Sequence, residues 1–263
     1  MREQPLALNQ NREQSGIGDT SLFFWDQRLG RFVCYTKILF RDPTMRTSGM
    51  MESDDLIHWS RPRMTVFPDG LDDSDTQIYQ HFSFPYESMW IGMLRVMHTE
   101  LIDESRKQTV VELTASRDGR HFTRVGRREV VIPLGAADEW DPHYHAPTSP
   151  PILVGDELWA YYFSTPLLDP VKVGEELART AQTSRIGLAR WRRDGFVSLD
   201  AQAEPGQVVT RPLTFDGVRL YVNAQVAPDG YLKAELQNMA GEPIERHTLD
   251  DCSPIRGDVL SAP

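Results

Sequence analysis

Three stretches of the chain are rich in apolar residues, with few polar interruptions: 31–38 (RFVCYTKI), 89–97 (MWIGMLRVM) and 158–163 (LWAYYF). Aromatic and β-branched residues dominate them, which predicts strands covered on both faces. Each follows a shorter apolar run and a turn: SLFFW then DQRLG, HFSF then PYES, SPPILV then GDE. Each leads into a further strand signal (TSGMMES, VVELTAS, SRIGLARW), then a polar turn, then a last run at HWSRP, HFTRVG or FVSLD. Four short strands joined by tight turns form one unit, and the unit recurs.

The polar turn makes the recurrence explicit. ESDDLIHWS at 52–60 and ASRDGRHFT at 115–123 share Ser, Asp, His, a ring and a hydroxyl at matching places, 63 residues apart. A worn third copy, RRDGFVS, lies at 192–198. An Asp or Ser side chain can accept a backbone N–H two residues on, so the phrase predicts the turn between third and fourth strands. The ring at Trp59, Phe122 or Phe196 then opens the outer strand. Ser53, Asp55, His58, Ser116, Asp118 and His121 are read as structural.

Four antiparallel strands repeated about a hub predict β-propeller blades, at 17–66, 75–128 and 143–200. Propellers typically close with about four to eight blades. Three therefore predict either a fragment or a partner chain that completes the ring, with 1–16 a remnant of a preceding blade or a linker. From 204 to 263 the texture changes to alternating polar and apolar residues, with hairpin signals at Asp216-Gly217 and Asp229-Gly230. The expected fold class is all-β: a partial propeller followed by an incomplete β-sandwich module.

Composition narrows the partners. A net charge of −10 over 263 residues argues against a nucleic-acid ligand, which needs a basic face. No apolar run reaches the roughly 18 residues of a membrane span. The first 16 residues hold no apolar core of a secretory signal, and localisation stays open. Cys34 and Cys252 lie far apart with no CxxC, predicting neither a disulfide framework nor a zinc site, and Cys34 in FVCYT reads as a buried thiol.

The segment 18–37, GDTSLFFWDQRLGRFVCYTK, resembles the inner and second strands of the five-bladed propeller glycosidases of families 32 and 43. The repeated S-x-D-x-x-x-W phrase is also common there. From Asp19 to Asp258 the chain is similar to bacterial proteins described as glycosyl hydrolase family 32 N-terminal-domain-like. The marks are GDT, E-S-D-D-x-x-H-W, A-R-x-x-x-D-G-F, VVTRPL, L-x-V-N-A and C-x-P-I-x-G-D. Those proteins extend further at both ends, so the resemblance implies missing blades rather than a partner. It also implies a carbohydrate substrate, no cofactor, and carboxylates gathered at the inner-strand ends.

Asp19, just before SLFFW, stands where those families place a transition-state-stabilising Asp. Where family 32 carries E-C-P-D, with Glu as general acid, this chain reads Tyr79-Gln80-His81-Phe82. Gln80 cannot donate that proton. Gln77, Tyr79 and His81 alternate and could face the funnel together as hydrogen-bonding groups; with Gln80 they make up the expected substrate-binding residues of this strand. The densest polar cluster is ADEWDPHYHAP. There Asp141, His143 and His145 would share one face of an extended segment. Glu139 or Asp141 could replace the missing acid, and Trp140 could stack on a sugar or seal two blades. Two imidazoles and a carboxylate invite a metal, but no further protein ligand is identifiable and none is expected. Glu112 reads as cross-strand paired, and Asp72, Asp73 and Asp75 as a solvated loop. Four functions follow: a glycoside hydrolase, a propeller that binds sugar without cleaving it, a phosphorolytic relative, or a pure protein-interaction propeller. The third would want basic residues at the funnel, and the inner-strand ends supply no obvious Arg or Lys. The fourth predicts funnel ends without clustered carboxylates and histidines, and the DEWDPHYH segment weighs against it.

Overall fold

The structure, a computed structural model, describes residues 20–41, 44–100, 103–165 and 184–262. It is all-β among those residues. Internal contacts divide it into two compact units: the described residues of Met1–Ile152 with those of Trp159–Arg190, and Leu153–Leu158 with those of Trp191–Pro263.

The first sheet is an antiparallel meander of β1 (Leu22–Asp26), β2 (Arg31–Arg41), β3 (Thr44–Ser53) and β4 (Arg63–Val66). Its first turn closes because the Asp26 Oδ1 accepts the N–H groups of Arg28 and Leu29, each at 3.0 Å. The second meander is β5 (Thr76–Tyr86), β6 (Met89–Glu100), β7 (Asp103–Ser116) and β8 (Thr123–Arg124). Then follow β9 (Tyr144–Pro147), β10 (Ile152–Val154), β11 (Glu157–Thr165) and β12 (Arg185–Arg192), with β9, β10 and β12 all pairing β11. The inner strand of this third group is split into β9 and β10 by Thr148-Ser149-Pro150-Pro151, since two prolines cannot donate to a ladder. A single parallel pair, Thr109↔Tyr144, joins β9 to β7.

Two of the three apolar runs behave as expected. Val33, Cys34, Tyr35 and Thr36 are consecutively buried in β2, as are the five residues from Met93 to Met97 in β6. The third run alternates instead: Leu158, Ala160 and Tyr162 are buried while Tyr161 is exposed. Val66, Ile78, Leu94, Val96 and Val110 form a core drawn from β4 to β7, with Phe122 packed against it. Cys34 is a free buried thiol whose pKa burial pushes up to about 12.

The repeated phrase folds the same way twice. Ser53 Oγ accepts from the N–H of Asp55 and Leu56, and Ser116 Oγ from Asp118 and Gly119. The carboxylates continue the pattern, Asp55 onto the N–H of Ile57 and His58, Asp118 onto those of Arg120 and His121. Each also meets its own histidine at 2.6 Å. The fourth strand, however, starts later than HWSRP, at Arg63, and 196–200 forms no strand.

In the second unit, β13 (Val222–Gln225) pairs with β14 (Asp258–Ala262). The alternating stretch 207–216 forms no strand, and Val208, Val209, Leu213 and Phe215 stay exposed. Alternation produces a strand only when another strand accepts its ladder, and no described strand pairs with that stretch.

Candidate active site

The acidic corner precedes β9. Pro133 and Pro142 bracket a turn rather than an extended segment. Glu139 N–H donates to the Ala136 carbonyl at 2.9 Å, and Ala136 N–H donates back to Glu139 Oε2 at 2.8 Å. Gly135 N–H reaches the Asp141 carbonyl at 3.1 Å. A Cβ on Gly135 would collide with Asp141 Oδ1 and come within 2.6 Å of Glu139 Oε2. The bare glycine thus lets two carboxylates converge over one point of backbone.

Asp141 is buried and fixed, accepting the Tyr162 hydroxyl at 2.8 Å. Burial and this bond both raise the Tyr162 phenol pKa above its usual value. His145 is buried too, its Nδ1 at 3.1 Å from the Ile132 carbonyl and its Nε2 at 3.1 Å from the Asp141 carbonyl. Burial holds its pKa below the usual histidine value even though those carbonyls and Asp141 pull the other way. Trp140 stacks on Tyr162, ring centres 5.8 Å apart and 22° from parallel, and the Tyr162 ring in turn lies against the bare backbone of Gly187 in β12.

The expected shared face of Asp141, His143 and His145 is corrected here. Extended backbone begins only at Tyr144, so Asp141 and His145 meet through a turn, 3.5 Å from Oδ2 to Nε2. His143 is held apart by its carbonyl, which accepts Thr109 N–H, and its Nδ1 is buried with no hydrogen-bond partner among the described residues.

A second cluster surrounds Tyr79. The register of β5 against β6 shifts between Ile78 and Gln80, making Tyr79 a bulge residue, and bulges re-aim side chains at sheet rims. The Tyr79 ring has Lys37 Nζ and Arg95 Cζ each 4.4 Å from its centre and Arg46 Cζ at 6.0 Å. Arg46 also donates to Gln77 Oε1 at 2.6 Å. Gln80 is half-buried and opposite Arg95 in the register.

The bulge breaks the alternation expected of 77, 79 and 81. His81 is not beside Tyr79 as a binding group but fully buried, Nδ1 at 2.9 Å from Thr65 Oγ1 and Nε2 at 2.8 Å from Thr114 Oγ1. Burial lowers its pKa to about 3, so it is a neutral core residue. Asp72 is not solvated either: Arg124 reaches both its oxygens and Arg128 one of them. Glu112 is paired across the strands as expected, with Arg124 at 2.8 Å from each oxygen. Among the described residues, Asp73, Asp75 and His98 offer ligand atoms within 4.8 Å of one another, a set that could hold a metal ion. Asp19 lies outside the described residues.

No family model matches the chain. A search of curated proteins also found no match. Some solved structures are similar to part of the chain at low identity. One is titled an N-acetylgalactosamine deacetylase from F. plautii in complex with blood group B trisaccharide (TM-score 0.46, 14% identity, covering 67% of this chain and 50% of that one). Another is titled simply a glycoside hydrolase (TM-score 0.47, 17% identity, 78% of this chain and 54% of that one). A third is Zg3597, a family 117 glycoside hydrolase from Zobellia galactanivorans (TM-score 0.47, 14% identity, 58% and 49%). The chain thus spans about half the length of each, and similarity this distant assigns neither family nor activity.

Reading the sequence missed the cations around Tyr79, because they come from second and third strands (Lys37 on β2, Arg46 on β3, Arg95 on β6) and not from inner-strand ends. One signal was present: Arg95 is a lone charge inside MWIGMLRVM, where a buried strand has no use for one.

Proposed function

We propose that this chain is part of a carbohydrate-active β-propeller, a glycoside hydrolase of oligo- or polysaccharides that works through Glu139 and Asp141. The observation that carries this reading is the convergence of the two carboxylates over Gly135 beside the stacked Trp140–Tyr162 pair. Glycoside hydrolysis needs two carboxyl groups flanking one bond, one of them protonating the leaving oxygen. Glu139 is exposed, with one oxygen anchored on Ala136 N–H, and fits the proton-exchanging role. Asp141, clamped by Tyr162, offers a fixed acceptor beside it. Trp140 supplies an apolar face for a sugar ring. Asp19 is assigned, through the family resemblance, to orienting the sugar in the complete protein.

The test is turnover of an oligosaccharide panel by the complete protein. Glu139→Gln and Asp141→Asn are each expected to lower kcat by about 100-fold or more, the exposed Glu139→Gln with unchanged thermal stability. Full activity in both variants refutes the assignment. A second reading, sugar binding without cleavage, is favoured by Gln80 standing where the resembled family carries its acid. It predicts glycan binding by the unaltered protein with no turnover.

A further inference from the structure

Arg95 is a guanidinium that its surroundings leave partly unsatisfied. The residue is 3% exposed, and its Nε and Nη2 have no hydrogen-bond partner among the described residues. The rings of Tyr79 and Tyr144 lie 4.4 and 4.1 Å from its Cζ. Ring faces attract the charge but do not saturate N–H donors that point along the guanidinium plane. A buried cation with idle donors is costly until an acceptor meets them.

Two more cations close on the same ring, Lys37 and Arg46. The bond from Arg46 to Gln77 orients its guanidinium against a neutral amide, so that contact leaves its charge uncancelled. The cluster runs against the chain as a whole, which carries a net charge of −10. Three adjacent strand groups contribute: β2 and β3 from the first, β5 and β6 from the second, and Tyr144 of β9 from the third.

We propose that Arg95, Arg46 and Lys37, gathered around Tyr79, form a receptor for an oxyanion carried by the ligand: the carboxylate or sulfate of an acidic sugar. Planar guanidinium groups match such oxygens with paired, charge-assisted hydrogen bonds. Tyr79 and Tyr144 keep the guanidinium of Arg95 in place for them. This inference rests on the carbohydrate reading and adds the substrate class: an acidic saccharide is preferred over its neutral counterpart.

The experiment is calorimetric titration of the complete protein at low salt with a uronate-containing oligosaccharide, a sulfated one, the neutral counterpart and inorganic phosphate. Arg46→Gln and Arg95→Gln are titrated alongside. Arg46 is half-buried, so its variant stays informative if loss of Arg95 prevents folding. An acidic saccharide is expected to bind about tenfold or more tightly than the neutral one, the preference vanishing in Arg46→Gln. Equal binding of acidic and neutral sugars, unaltered by either variant, overturns the inference and leaves the carbohydrate reading standing. Phosphate binding that Arg46→Gln weakens, without any saccharide binding, upholds the oxyanion receptor and overturns the carbohydrate reading. No binding in any arm overturns both.

Discussion

His81 shows how far a single residue's role depends on partners distant in sequence. It sits between Thr65 and Thr114 with both ring nitrogens engaged and its side chain buried. A folded pKa of about 3 against 6.5 in the open chain means the unfolded state binds the proton first. Stability is therefore whole above pH 6.5 and drains away as pH falls towards 3. Urea unfolding between pH 4 and 7 is expected to show this slope, and His81→Gln to flatten it by up to about 1.4 kcal/mol per pH unit. An unchanged slope would mean the imidazole takes up its proton as readily in the native state as in the unfolded one. The contrast with Ser53, Asp55, Ser116 and Asp118 is instructive. Their roles were legible because every bond spans two or three residues. His81, Asp72 and Arg95 were not, since their surroundings arrive from other strands. Tyr79 was half legible: its place on an inner strand was foreseen, but the bulge that turns it among cations was not.

At the scale of elements, apolar runs and turn chemistry located most strands, and the failures have physical causes. Prolines at 150 and 151 split one strand, and the fourth strands begin only where the ladder of the third can receive them. One contact between elements has an energetic consequence. Glu52 at the end of β3 faces Arg31, Arg63 and Arg120, and the last donates through Nε at 2.8 Å and Nη2 at 3.1 Å. Burial alone would raise the Glu52 pKa, yet the arginines hold it below the usual value. Because the arginines are one-third to one-half exposed, screening limits the gain. Glu52→Gln is expected to cost about 1 kcal/mol in equilibrium unfolding at low salt, and less in molar salt. A loss that salt does not reduce would show a packing role instead.

For the whole molecule, the sequence disclosed repeated four-stranded meanders and a change of texture near the end. The candidate site was legible as a place, the ADEWDPHYHAP segment, but not as a geometry, because its turn and the glycine under the two carboxylates are products of folding. The long central ladders and the strandless stretch 199–221 should differ sharply in hydrogen exchange. Amides of β6 and β7 are expected to be protected about a thousandfold or more beyond those of 199–221. Comparable rates would show that the meanders open as readily as that stretch. The repeats also differ in a way that their shared turn conceals. The position held by Glu52 is Ala115 in the second copy, and the position held by Arg120 is Ile57 in the first. Lock and key thus sit on different copies, so the duplicated segments are not interchangeable. A gene shuffled to reverse their order would keep every turn and lose the latch between neighbours.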